Sequence, residues 1–318
     1  MKLAVGFVTY NDSSAKYLGD FLPSLRHSLN FLPVVDKRIL TFDNSSQDNN
    51  INRLALEYFV REHPDEMISF SSKENIGFGS AYNVLITQAK KLKAEYFLMI
   101  NPDVLLEPDA IEKLLSKMET NKDLASVSPK ILRWDFNNHK QTKQLDSCGL
   151  SLKSGLRFND LGQGEIDNDQ YNETEIIGPS GAIGLFRLSA LESIKDKYGY
   201  FDSRFFMYKE DCDLAYRLHL AGFKSALVPE ALAYHDRTAA FYGKGISQSL
   251  LNRRQTSKQV RAWSFKNQHL LFVKHFKNEN FKSKFVVIAR VVVMFVFSLI
   301  LEQFNLKQYP NIVRVLKS

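Results

Sequence analysis

The stretch 205–223, FFMYKEDCDLAYRLHLAGF, places Glu210, Asp211 and Asp213 between apolar and aromatic flanks. Carboxylates in such surroundings are costly unless they are paired, hydrogen-bonded or put to use. Two readings are open. In the first, the three acids cap a helix that starts near Glu210, has Leu214, Leu218 and Ala221 on one face, and stops at Gly222. The helix dipole would then favour them by about 0.3–1 kcal/mol. In the second, Phe205, Phe206, Met207 and Tyr208 form a wall that raises the pKa of a carboxylate beside it, as a general base requires.

Other polar groups follow apolar runs elsewhere in the chain. Thr9 and Asn11 end the first run, VGFVTYN. In FDNSSQDN, Asp43 and Asn44 can meet the imide N–H of a pyrimidine ring, or simply build a turn or cap. In ENIGFGSAYN, Asn75, Gly77 and Gly79 precede a helix whose N-terminus suits phosphate or sugar hydroxyls; a structural turn reads equally well. In MINPDV, Asn101 and Asp103 close a strand, and Asp103 is a hard oxygen ligand for Mg²⁺ or Mn²⁺ against a diphosphate, or a cap for the helix near Pro108. His235 ends the run ALVPEALAYH, either as a structural histidine or as the nitrogen ligand completing a metal shell.

The elements that must position these groups alternate. Strand-like runs at 3–10, 37–44, 67–72 and 95–104 are separated by helical spacing at 14–29, interrupted by Pro23, and at 52–63 and 79–94. A further helix follows at 108–119. This rhythm predicts an α/β protein with a Rossmann-like, doubly wound, mostly parallel sheet, whose ligands collect at the carboxyl ends of the strands. The segment 159–175 is acidic and polar and reads as a mobile loop. The apolar run 176–187 is broken by Pro179, Ser180 and Gly181, where a ligand can approach the backbone.

The 318 residues carry a net charge of +7, unevenly spread. Residues 241–318 hold nine Lys and five Arg against Glu279 and Glu302, which leaves residues 1–240 net acidic. The tail includes FVVIARVVVMFVFSLIL at 285–301, with Arg290 its one charge. About 17 residues is the short limit for a span. Flanking Lys282 and Lys284 suit a helix lying on an anionic membrane surface; a buried or dimer-forming helix and a true span are the other readings. No nucleic-acid reader module accompanies the charge. Cys148 and Cys212 are too few and too distant for a disulfide framework or a thiolate zinc site, and they fit a reducing compartment. The N-terminus turns polar too soon for a signal peptide and reads as the first strand.

The ordered set VTYN, FDNSSQDN, NIGFGSAYN, INPDV, GPSGAIGLFR, FDSRFFMYKEDCDLAYRLHLAGF and His235 resembles the family 2 glycosyltransferases of GT-A fold, with the nearest likeness to bacterial rhamnosyltransferases of cell-surface polysaccharide assembly. The resemblance implies a GT-A catalytic domain over residues 1–240 and a basic, apolar helical extension over 241–318. It implies inverting transfer of a sugar, L-rhamnose from dTDP-rhamnose, to a lipid-linked or oligosaccharide acceptor. By the same resemblance Thr9, Asn11, Asp43 and Asn44 meet the nucleotide, and Asn75, Gly77 and Asn101 lie near the donor. Asp103 and His235 hold Mg²⁺ or Mn²⁺, Asn101 standing where the family's Asp-x-Asp motif has its first carboxylate. Asp211 is the base, Glu210 supports it, and Asp213 caps the helix. The implied location is cytoplasmic, at the inner face of the membrane, with peripheral contact through the tail and a homodimer as a further option. A different donor (UDP-galactofuranose or a UDP-hexose) and a non-catalytic nucleotide-sugar-binding subunit are the alternatives. A nucleotidyltransferase is disfavoured, because TYNDSSAKY lacks a Gly- and Arg-rich phosphate loop.

Overall fold

Strand β1 (Lys2–Thr9) is apolar on both faces and almost wholly buried, as a central parallel strand must be. Around it, a computed structural model describes residues 2–32, 36–46, 50–136, 138–236 and 256–317. The chain continues through α1 (Asn11–Asn30), β2 (Asp36–Asp43), α2 (Ile51–Glu62), β3 (Met67–Ser71), α3 (Phe78–Lys91), β4 (Tyr96–Ile100), β5 (Val104–Leu106) and α4 (Ala110–Thr120). Then come β6 (Leu124–Asp135), β7 (Lys140–Ser147), β8 (Leu150–Lys153), β9 (Arg157–Asp160), β10 (Ile183–Arg187), α5 (Leu188–Ser193), α6 (Glu210–Leu220) and β11 (Lys224–His235). The tail adds α7 (Lys258–His275), α8 (Phe281–Ile300) and α9 (Tyr309–Lys317).

The main sheet runs β3-β2-β1-β4-β10-β6-β11-β5, with β7 beside β6. The pairs β1–β2, β1–β4 and β2–β3 are parallel, as the βα rhythm predicts. The second half is mixed: β10 is antiparallel to both β4 and β6, while β6 and β11 are parallel. The strand order turns at β1, which has β2 on one side and β4 on the other, so ligands are expected at the carboxyl ends there. Alternate side chains of β1 feed two cores. Leu3, Val5 and Phe7 meet α1, α2 and α4, while Ala4 faces the layer of α3, α5 and α6.

Three expectations change, and the tail adds one finding. Helix α1 is not interrupted at Pro23 but runs through it. The carbonyl left without its donor belongs to Gly19, an exposed residue, so water can satisfy it. The predicted fourth strand is two strands, β4 and β5, with Asn101, Pro102 and Asp103 in the turn between them. The acidic loop is tied down rather than loose: buried Lys130 places Nζ 3.0 Å from Asp167 Oδ2 and 2.7 Å from Asp169 Oδ1. Helix α7 is a core helix, for Leu270, Leu271 and Phe272 share a cluster with Phe205, Cys212 and Tyr216. Residues 241–255 of the tail lie outside the described residues.

Helix α8 has inverted polarity. Ser283, Val287 and Ser298 are its buried residues, and Arg290 turns inward to donate to Gly155 O. Outward it shows Phe281 (87% exposed), Phe285 (68%), Ile288, Val292, Phe295, Leu299 and Ile300 (70%). The spacing 281, 285, 288, 292, 295 and 299 is one continuous helical stripe.

Candidate active site

The site begins where β1 and β2 end side by side, with Thr9 opposite Asp43. Asp43 is buried and fully engaged. Its Oδ1 accepts from Thr9 Oγ1 (3.1 Å) and Ser45 Oγ (2.7 Å), and its Oδ2 from Asn50 Nδ2 (3.0 Å) and Arg53 Nε (3.1 Å). Arg53 comes from the first turn of α2, which Asn50 caps, so that helix neutralises the strand-end carboxylate. A carboxylate has about four lone-pair sites, so a ligand donor reaches Asp43 by replacing one of these partners. Asn11, at φ 45°, donates its N–H to Ser45 Oγ at 2.7 Å, and its own buried Oδ1 has no hydrogen-bond partner among the described residues.

Asn44 crosses to the start of α3. Its Nδ2 donates to Asn75 Oδ1 (2.9 Å) and Gly77 O (3.3 Å), and its Oδ1 accepts from Ile76 N–H (2.9 Å). The turn this locks needs glycine. Gly77 has φ +87°, and an added Cβ would lie 2.7 Å from Phe206 O. The N–H of Phe78 donates to the same Phe206 carbonyl at 2.7 Å. The turn before α3 is thus pressed onto the segment that leads into Glu210.

Asn101 follows β4, donates its N–H to Ala182 O at 2.9 Å, and accepts from Tyr82 OH at 3.3 Å. Two residues on, Asp103 Oδ2 lies 3.3 Å from His235 Nε2, at the end of β11. On the other side of the ring, His235 Nδ1 is 2.8 Å from Asp146 Oδ2 of β7. Burial favours a neutral His235, but the charge of Asp103 and hydrogen bonds to Asp103 and Asp146 outweigh it and raise the pKa to about 10. With Asp146 on Nδ1, Nε2 faces Asp103, and a cation held between Nε2 and Asp103 would take the place of the Nε2 proton, Asp146 orienting the ring. Asp103 Oδ1 is buried with no hydrogen-bond partner among the described residues. A spare hard oxygen beside an imidazole nitrogen suits Mg²⁺ or Mn²⁺. Among the described residues, no group of three or more His, Cys, Asp and Glu side chains is placed to hold a metal ion.

At the start of α6, Asp211 is held by backbone amides: Oδ2 accepts from Gly181 N–H (3.0 Å) and Oδ1 from Cys212 N–H (2.7 Å). Gly181 adjoins Ala182, whose carbonyl binds Asn101. One short turn before β10 therefore joins the acidic pair to the Asn101–Asp103 turn. Glu210 is 5% exposed, and its Oε2 is buried with no partner among the described residues. Burial, and then the negative charge of Asp211, push the Glu210 carboxyl up to about 8.

Asp213 is not a cap. Lys209 holds the cap position, in a left-handed conformation and without a side-chain bond. Asp213 is wholly buried and binds Arg217 (2.8 Å), Lys274 (2.9 Å) and His275 (2.7 Å). The tail helix α7 brings the last two, turning a first-turn acid into an ion-pair hub. Burial opposes its charge, yet His275, Arg217 and Lys274 hold its pKa well below the ordinary range. The aromatic run divides as well: Phe205 is buried in the core, Phe206 lies 5.2 Å from the Trp263 ring, and Tyr208 is exposed.

With this geometry in place, comparison with known proteins is informative. Residues 5–194 match the model for glycosyl transferase family 2. The chain belongs to that family. This family 2 transferase is 28% identical over 253 residues to the N-acetylglucosaminyl-diphospho-decaprenol L-rhamnosyltransferase of Mycobacterium tuberculosis, covering 74% of this chain and 76% of the relative. It is 26% identical over 179 residues to rhamnosyltransferase WbbL of Escherichia coli, covering 52% of this chain and 64% of the relative. Among solved structures it resembles the Pyrobaculum calidifontis mannosyltransferase PcManGT, with a TM-score of 0.55 at 14% identity over 98% of this chain and 74% of that one. TarS 1–349 of S. aureus gives 0.52 at 16% identity, over 98% and 79%. These likenesses establish the GT-A fold.

Two residues that bond to these groups escaped the sequence. Asp146 sits in KQLDSCG with no neighbouring motif, and only strand pairing brings it to His235. Asn267 of α7 reaches the segment before Glu210 from the tail; its one trace in the sequence is the polar KNQH inside an apolar helix.

Proposed function

We propose that this transferase moves L-rhamnose from dTDP-rhamnose, with inversion, to a lipid-linked saccharide acceptor at the cytoplasmic face of the membrane, in surface-polysaccharide assembly. Two relatives named as rhamnosyltransferases support the donor, and one of them is named for a diphospho-decaprenol compound. The observation that carries the reading is the joining of the Glu210–Asp211 pair to Asp103 and His235 through Gly181, Ala182 and Asn101.

Thr9, Asn11, Asp43 and Asn44 take the nucleotide, Asp43 giving up one present donor to the base. Asn75 and Gly77 border the donor beside them. Asp103 and His235 hold Mg²⁺ or Mn²⁺, which when bound supplies positive charge to the departing diphosphate. Asp211, steadied by two backbone amides, takes the proton of the acceptor hydroxyl. The acceptor oxygen then attacks the anomeric carbon, the bond to the diphosphate breaks, and one displacement inverts the centre. Glu210, whose carboxyl is pushed up to about 8 by burial and by the charge of Asp211, adjoins that base and supports it. The outward apolar stripe of α8, with Lys282 and Lys284 at its start, rests on an anionic membrane surface, where a lipid-linked acceptor resides.

A donor screen tests this. With Mg²⁺, dTDP-rhamnose should raise the Tm and be turned over, whereas UDP-hexoses and UDP-galactofuranose should not. Asp103→Ala and His235→Ala should each weaken donor protection. Selective use of a UDP-sugar would replace the donor, and full activity in excess EDTA would remove the metal.

A further inference from the structure

The backbone entering Glu210 is strained. Phe206, Tyr208 and Lys209 all have positive φ, at 63°, 73° and 69°. Non-glycine residues held in such regions are strained and persist only where their surroundings over-determine them. On one side the segment is fixed by α3, through Phe78 N–H on Phe206 O and the fit of Gly77 against it. On the other side stands Asn267 of α7, which is wholly buried. Its Nδ2 lies 2.7 Å from Phe205 O, 2.7 Å from Met207 O and 2.8 Å from Tyr208 O. Two amide hydrogens are thus shared by three carbonyls, of which that of Phe205 also accepts from Met207 N–H at 2.7 Å. The preceding Lys266 adds a bond from Nζ to Arg204 O at 2.9 Å.

We propose that Asn267 is a positioning residue for the reaction. It holds the strained 205–209 segment so that Glu210 and Asp211 point from the first turn of α6 into the site. This rests on the transferase reading of that acidic pair. Asn267 touches no reacting atom. Its effect passes through the backbone, and a displacement of about 1 Å at a catalytic group costs on the order of 10²-fold in rate. Among the described residues, Thr9, Asn11, Asp43 and Asn44 make no hydrogen bond to Asn267.

The test uses the full-length chain with Asn267→Ala and Asn267→Ser, beside the wild type and Asp211→Asn. Asn267→Ser keeps one donor and remains informative if the alanine variant does not fold. Three readouts are needed: kcat and KM for the sugar nucleotide, affinity for the nucleoside diphosphate alone, and the titration of Glu210 followed by carboxyl NMR. The proposal expects kcat to fall about 10²-fold in Asn267→Ala and by less in Asn267→Ser. It expects nucleotide affinity to stay within about threefold, and the Glu210 titration to move toward its ordinary value as the first turn of α6 loosens. Unchanged kcat with an unchanged Glu210 titration would overturn it. So would equal losses of kcat and nucleotide affinity in both variants, which mark a residue that only supports the fold. If the wild type turns over no sugar nucleotide, the transferase reading fails by itself. The Glu210 titration still decides whether Asn267 positions the pair.

Discussion

Glu210 and Asp211 are adjacent in sequence but have opposite surroundings. Asp211 receives two backbone N–H groups, while Glu210 Oε2 is buried with no hydrogen-bond partner among the described residues. The raised pKa of Glu210 makes a stability prediction. Between its ordinary value of 4.5 and about 8, the folded protein keeps a proton that the unfolded chain has released. Stability from this group is therefore full at low pH and is lost as pH rises through that window. Glu210→Gln removes the ionisation, so its Tm should exceed that of the wild type near pH 9 by more than it does near pH 5, while transfer slows. A Tm difference that does not vary with pH would contradict the assignment. Asp213 behaves in the opposite way, being charged and paired on three sides. Asp213→Asn leaves buried cations uncompensated and should cost about 3–5 kcal/mol in denaturant unfolding. A loss below about 1 kcal/mol would return Asp213 to the cap position expected from the sequence. That expectation failed for a physical reason: a first-turn acid looks the same in sequence whether it caps its own helix or meets Lys274 and His275 from some 60 residues away.

At the scale of elements, the first four strands and their helices were legible because each apolar run ends in polar residues at its carboxyl end. Thr9, Asp43 and Asn101 follow that rule and are placed accordingly. The antiparallel insertion of β10 between β4 and β6 was not legible, since strand order depends on long-range pairing that periodicity does not encode. Asp146 was hidden for the same reason. Helix α8 was ambiguous because an apolar run reads alike in a core and at a lipid surface. In the structure Ser283, Arg290 and Ser298 face inward and Phe281, Phe285 and Ile288 face outward. The full-length chain should float with anionic vesicles, less so in high salt. Phe281→Ser, Phe285→Ser and Ile288→Ser together should abolish flotation without lowering the Tm. Equal flotation of the triple variant, or a wild-type dimer that the substitutions dissociate, would move the stripe from the membrane to another partner.

For the whole molecule, charge and packing divide the chain differently. Net charge changes sign near residue 240, yet α7 shares a core with α6 and supplies Lys274 and His275 to Asp213. The helix that leads to the apolar stripe thus also braces the acidic pair. Removal of 241–318 would take away the partners of Asp213 together with the apolar stripe, so point substitutions are the means of separating their effects. The central claim is that Asp211 is the base of a sugar transfer. Single-turnover transfer from dTDP-rhamnose by Asp211→Asn tests it most directly, with nucleotide affinity measured on the same preparation. The prediction is a rate lower by about 10²–10⁴-fold with affinity within about threefold. A variant that transfers at nearly the wild-type rate would contradict it.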